Sequence, residues 1–286
     1  MTDIQTRFPG FVRASLVGLV VATFSAAYFP AWKNLVLTWS SQEEYSHGFL
    51  ILPLALYIAW QKKGKLAVMQ PKPSTWGLAV IIFSMLCYLV AHFGEILTLS
   101  SLCIVTTITG VLLYFFGFST VKEMLFPLLL LLFMIPIPAQ VYSSLTIPLQ
   151  LLVSEVSVEV AQFFGVPIYR EGNVLHLPDR TLQVVQACSG LRSMVSILTL
   201  SLIFGYFTLK SGISRTILVL FGVPAAILAN IARVLVLIGS FYYFRFDLTS
   251  GTAHTVLGLA VFLFALLLIV AMKGALSIWD RSATQG

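Results

Sequence analysis

Gln186-Ala187-Cys188-Ser189-Gly190-Leu191-Arg192-Ser193 sets a cysteine where a polar, strand-like stretch gives way to an apolar run from Met194 to Leu209. A helix starting there leaves its first backbone N–H groups unpaired and points the positive end of its dipole at the sulfur. Both effects favour thiolate over thiol. Arg192 follows Cys188 by one helical turn, so a guanidinium can lie over the same sulfur. That is the setting of an activated nucleophile; the competing reading is a small buried hydrophobe that happens to be cysteine.

Two further groups fit the same chemistry. Arg233 stands among apolar residues in Ala229-Asn230-Ile231-Ala232-Arg233-Val234, and His254 opens the last apolar run in Ser250-Gly251-Thr252-Ala253-His254-Thr255. A charged side chain inside an apolar run costs a few kcal/mol or more to insert, so it normally faces a cavity or a partner. Asn230 lies one turn earlier on the same face and is placed to orient it. A histidine can take a thiol proton and later protonate a leaving amine. An arginine can stabilise a tetrahedral oxyanion in a dry site. Together the three allow peptide-bond cleavage through a thioester, then transfer to an amine or to water.

The elements that must position these groups are membrane helices. Of 286 residues, 58% are hydrophobic and only 10% charged, with a mean hydropathy of +0.95. Such a chain is an all-α polytopic membrane protein. The net charge of +6 forms no clustered face and excludes a nucleic-acid partner. Cys87, Cys103 and Cys188 give no disulfide framework, and no Cys/His spacing suits a metal, so neither metal nor cofactor is expected. Apolar runs at 14–32, 49–60, 76–91, 102–118, 124–138, 191–209, 216–244 and 253–272 predict about eight spans in one integral-membrane domain, 1–286. Residues 143–165 repeat apolar positions at helical spacing and suit an interfacial helix or one tucked against the bundle. Residues 173–177 and 181–186, flanking Pro178-Asp179-Arg180, predict a small hairpin within an extracytoplasmic segment of about 139–188.

Lys and Arg placement sets the orientation. Arg7, Arg13, Lys62, Lys63, Lys65, Lys72, Lys122, Lys210, Arg215, Lys273 and Arg281 fall in one set of loops, which is therefore cytoplasmic, with both termini. The hairpin and Cys188 then face outward. Arg233 lies about eight residues from the outer end of its span, roughly 12 Å by helical rise. His47, in Tyr45-Ser46-His47-Gly48, sits at another outer entrance and is a candidate supporting group. His92 and His176 are expected to be structural or surface residues.

The ordered set Ala187-Cys188-Ser189-Gly190-Leu191-Arg192-Ser193, Asn230-Ile231-Ala232-Arg233 and Gly251-Thr252-Ala253-His254, with Tyr45-Ser46-His47-Gly48, resembles the exosortase/archaeosortase family of multispan cysteine transpeptidases. The resemblance implies Cys188 as nucleophile, His254 as acid/base and Arg233 as the oxyanion-stabilising or substrate-orienting cation. It implies a bacterial inner-membrane enzyme acting on exported proteins with a C-terminal sorting signal: a Pro-Glu-Pro-type motif, a transmembrane helix and a basic tail. Members in Gram-negative bacteria often accompany exopolysaccharide production. Arg192, Arg170 and Arg180 are the candidates to receive the motif's Glu. Beyond substrates, membrane lipids are expected partners. Two other classes stay open: a transporter of a polysaccharide or lipid intermediate, with Pro224 and Pro136/Pro138 breaking helices, and a non-catalytic scaffold of envelope assembly.

Overall fold

A computed structural model of the chain describes residues 10–42, 45–184 and 190–283; side chains are described outside 10–14, 16–17, 190–193 and 281–283. The chain divides into two compact units, residues 1–137 and 138–286. The first contains α1 (Gly10–Ala27), α2 (Phe29–Ser41), α3 (Gly48–Gln61), α4 (Lys63–Val68), α5 (Trp76–Phe93), α6 (Leu97–Phe116), α7 (Phe118–Glu123) and α8 (Leu125–Leu132). The second contains α9 (Ala139–Phe163), strands β1 (Tyr169–Glu171), β2 (Val174–Leu177) and β3 (Arg180–Gln183), then α10 (Gly190–Thr208), α11 (Gly212–Phe244) and α12 (Gly251–Ala283).

Among the described residues, five helices are long and apolar enough to cross a membrane: Trp76–Phe93, Leu97–Phe116, Ala139–Phe163, Gly212–Phe244 and Gly251–Asp280. The expectation of about eight is corrected accordingly. The stretches Gly18–Ala27, Gly48–Gln61 and Met194–Thr208 are apolar but shorter. The run at 124–138 is not one helix: the helix ends at Leu132, and Pro136 and Pro138 keep it from continuing. Residues 139–163 form one continuous helix packed against α11 and α10, in keeping with the expected helix tucked against the bundle, and it is also long enough to cross a membrane.

The prolines explain how the first unit is tied at both ends. Pro127 has no N–H to offer the carbonyl four residues earlier. The helix breaks at Met124, and Lys62 Nζ takes the Glu123 carbonyl at 2.5 Å. At the other end, Pro136 and Pro138 stop α8 from continuing, leaving carbonyls without helical partners. Trp39 Nε1 donates to Met134 O (3.0 Å), His47 Nε2 donates to Phe133 O (3.1 Å), and Thr98 Oγ1 donates to Pro136 O (2.7 Å). The Ile137 N–H donates to the Tyr45 hydroxyl (3.2 Å). The short α3 and the α7–α8 stretch thus connect the same two ends as α6. Between them, α5 and α6 approach closely because Gly77 meets the backbone at Gly110 and Tyr114, where a Cβ would collide.

Glu123 also closes the basic end of this unit. Its carboxylate meets Lys62 Nζ at 3.0 Å and Lys65 Nζ at 2.6 Å. The hydrogen bond from Lys65, then that from Lys62, holds its carboxyl below the usual value. A depressed carboxyl adds stability above the unfolded pKa of about 4.3 and loses it as pH falls through the lowered folded value. Glu123→Gln is therefore expected to lower the thermal midpoint in detergent at pH 7, with the difference shrinking as pH falls below the unfolded value through the lowered folded one. A midpoint unchanged at pH 7 would contradict this.

In the second unit, the three strands form one antiparallel sheet in the order β1-β2-β3. Leu175 pairs with Leu182, and both are buried. They join Val153, Val158 and Ala161 of α9 and Val234, Leu237 and Ile238 of α11 in one core. The expected hairpin is therefore present, with β1 added through a turn at Gly172, whose φ is 63°. Glycine at the first turn position with positive φ suits the twist of a two-residue hairpin loop. A second core joins α10, α11 and α12 through Ile197, Leu218, Ala225, Ala229, Ala265 and Ile269. Helix α11 runs through Pro224 without interruption, so the broken span of the transporter reading is not formed there.

Candidate functional site

Helices α11 and α12 are antiparallel neighbours joined by residues 245–250, so the end of one faces the start of the other. Across that contact Arg233 Nη2 lies 3.0 Å from His254 Nε2. Both side chains are half-buried. A guanidinium has donors and no acceptor, so the imidazole Nε2 must accept. In this arrangement the ring is neutral and its proton sits on Nδ1. Arg233 Nε and His254 Nδ1 are both buried without a hydrogen-bond partner among the described residues. Such atoms are costly to leave unpaired and mark where a further polar group belongs. Gly258, one turn beyond His254, leaves open the space its Cβ would occupy 3.8 Å from Arg233 Nη2.

Because α11 continues to Phe244, eleven residues follow Arg233 in the helix, about 17 Å by helical rise. Its contact with His254 nonetheless sets it level with the first turn of α12, and the last turns of α11 extend past it to the hairpin. Asn230 is buried one turn before it. Cys188 lies outside the described residues, as does the side chain of Arg192. His47 belongs to the first unit, where its Nε2 is occupied by Phe133 O.

The loop that delivers His254 is held by charge. Asp247 accepts from the Thr249 hydroxyl (2.6 Å) and N–H (2.8 Å), and it meets Arg180 Nη1 at 2.5 Å. Arg180 also lies over the Phe241 ring. Arg245 ends α11 in a left-handed conformation (φ 55°) and pairs with Asp179. Tyr243 donates its hydroxyl proton to Phe164 O at 3.0 Å. The hairpin is thus clamped onto the segment between α11 and α12, a role for Asp179, Arg180 and Asp247 that sequence reading missed. Its only signal was opposite charge in two polar stretches. Arg170 is similarly engaged, 3.4 Å from Glu155. His176 stacks on Tyr169 and His92 on Tyr88.

The hydrogen bonds from Thr249, its hydroxyl foremost, and the Arg180 pair bring the Asp247 pKa down to about 2. The stabilisation is present above the unfolded value of about 3.9 and is lost as pH falls through about 2. Asp247→Ala is expected to speed amide exchange over 246–252 at pH 7 several-fold, because the loop before His254 loses its clamp. Unchanged exchange would remove Asp247 from this role.

No group of three or more His, Cys, Asp or Glu suited to a metal occurs among the described residues. The whole is a polytopic helical membrane protein with a cation–imidazole pair joining two of its spans. The chain belongs to the transmembrane exosortase family (Exosortase_EpsH), whose model matches residues 39–271. That range contains Cys188, Arg233 and His254. No curated protein and no solved structure matches the chain.

Proposed function

We propose that the protein is a cysteine peptidase/transpeptidase of the inner membrane that cleaves C-terminal sorting signals from exported proteins. The observation that carries this reading is the Arg233–His254 contact, which joins two of the three groups that thiol acyl transfer requires. Arg233 turns its guanidinium away from Nε2, and the freed lone pair takes the Cys188 thiol proton. The thiolate attacks the scissile carbonyl, an Sγ–C bond forms, and Arg233 meets the negative charge on the oxygen. The C–N bond then breaks, and the amine leaves with the proton from His254. An amine or water attacks the thioester and gives its proton to His254, the C–Sγ bond breaks, and the released Cys188 thiolate recovers the proton from His254.

Arg170 and Arg180 already face internal carboxylates, which leaves Arg192 as the better candidate to receive the Glu of the sorting motif. Asn230, buried one turn before Arg233, and His47 of the first unit stay candidate supporting groups. The excess of Lys and Arg places the Lys62–Lys72 end of the first unit and the Lys210–Arg215 end of the second in the cytoplasm. His254 then opens its helix on the periplasmic side, where an exported substrate presents its signal while its basic tail stays inside. The test is co-expression with a tagged protein carrying such a signal. Mass spectrometry should find the chain cut between the motif and its transmembrane helix only where the enzyme is present. A substrate left whole in its presence would refute the reading.

A further inference from the structure

A cavity of about 550 Å³ lies within the first unit, away from Arg233 and His254 in the chain. Leu52, Ala55, Leu56 and Ala59 line it from one face of α3 at spacings of three and four residues, and Ile108 and Leu112 face it from α6. Small side chains at Ala55 and Ala59 make the hollow. Thr120 supplies the one side-chain hydroxyl of the lining, and it already donates to Phe116 O. A space this apolar does not hold ordered water, which needs two to four polar partners. Within a bilayer its natural content is hydrocarbon.

The cavity ends against Leu66, Ala67, Met69 and Pro71, the segment that carries Lys63, Lys65 and Lys72. Charge there is unbalanced. Glu123 takes up Lys62 and Lys65. Lys63 lies over the Trp60 ring at 4.1 Å, and neither it nor Lys72 meets a carboxylate among the described residues. The Lys72 N–H bonds Phe116 O, so this lysine is anchored at a residue that lines the cavity. An apolar hollow closed by a segment that carries two lysines without a carboxylate partner among the described residues fits a ligand with one hydrocarbon chain and one negative head.

We propose that this cavity binds an acyl chain of an anionic phospholipid, with its phosphate on Lys63 and Lys72. The site is independent of the thiol chemistry. The alternative, that these lysines act only as topological signals, predicts no selectivity for a lipid headgroup. The test uses the full chain in nanodiscs of equal phosphatidylglycerol and phosphatidylcholine, ejected into a native mass spectrometer. One phosphatidylglycerol should be retained, preferred about tenfold or more. The Lys63→Gln/Lys72→Gln variant, altered only at exposed side chains, should retain lipid with the preference gone. Ala59→Phe, which fills the hollow and leaves both charges, should lose retention while keeping the wild-type circular dichroism. Equal retention of the two lipids by the wild type would overturn the proposal. So would a preference that persists in the double lysine variant, or retention undiminished in a folded Ala59→Phe protein.

Discussion

Cys188→Ala should insert and fold like the wild type yet leave a co-expressed sorting-signal substrate uncut. The expected loss is on the order of 10⁶ in kcat, the scale seen when a covalent nucleophile is removed. Alanine deletes only the sulfur, so helix α10 and its packing against α11 should survive. Cys188→Ser keeps a nucleophile but one far less ionised at neutral pH, and it too should fall below detection. The measurement is immunoblotting of the tagged substrate with the enzyme level controlled. A thioester trapped by hydroxylamine on the wild type and absent from Cys188→Ala would tie the loss to chemistry. Full processing by Cys188→Ala would end the enzyme reading and return the scaffold class to the front.

What could be read beforehand follows from the range of each interaction. Helix periodicity and turn chemistry are local, so the spans of α5, α6, α11 and α12 and the β2–β3 hairpin were legible. The meeting of Arg233 with His254 was also within reach, since a short loop between two apolar runs makes antiparallel neighbours. The strand Tyr169-Arg170-Glu171 was not, because three residues of mixed character carry no period. Nor was the fate of residues 124–138. Their composition reads as one span, but Pro127 and Pro136 release carbonyls whose partners, Lys62, Trp39 and His47, lie 61 to 95 residues away. Helix 139–163 shows a further limit of the apolar period. Its Thr146, Gln150, Ser154 and Ser157 lie outside that period yet are fully or nearly buried. Polarity says that a side chain needs a partner, not that the partner is water.

Arg233→Lys is the sharper test of the site, because it keeps the charge and changes its shape. The guanidinium presents Nη2 to His254 while its Nε–H stays unpaired in a buried position. Those two donors are fixed in one rigid plane, so the guanidinium can pass from the imidazole to an oxyanion with defined directions. An ammonium has one nitrogen on a flexible stem and cannot fix both directions. Loss of one preorganised donor to an oxyanion costs about 10²–10³ in kcat, and Arg233→Lys is expected to fall in that range with KM little changed. A second readout separates chemistry from packing. The wild-type contact forces the His254 proton onto Nδ1, a tautomer visible in the ¹⁵N shifts of labelled imidazole. In Arg233→Ala that constraint is gone, and the ring should populate the Nε2–H form. Wild-type turnover in Arg233→Lys would remove Arg233 from the catalytic set. An Nδ1–H ring that persists without the arginine would show that something other than this pair fixes the histidine.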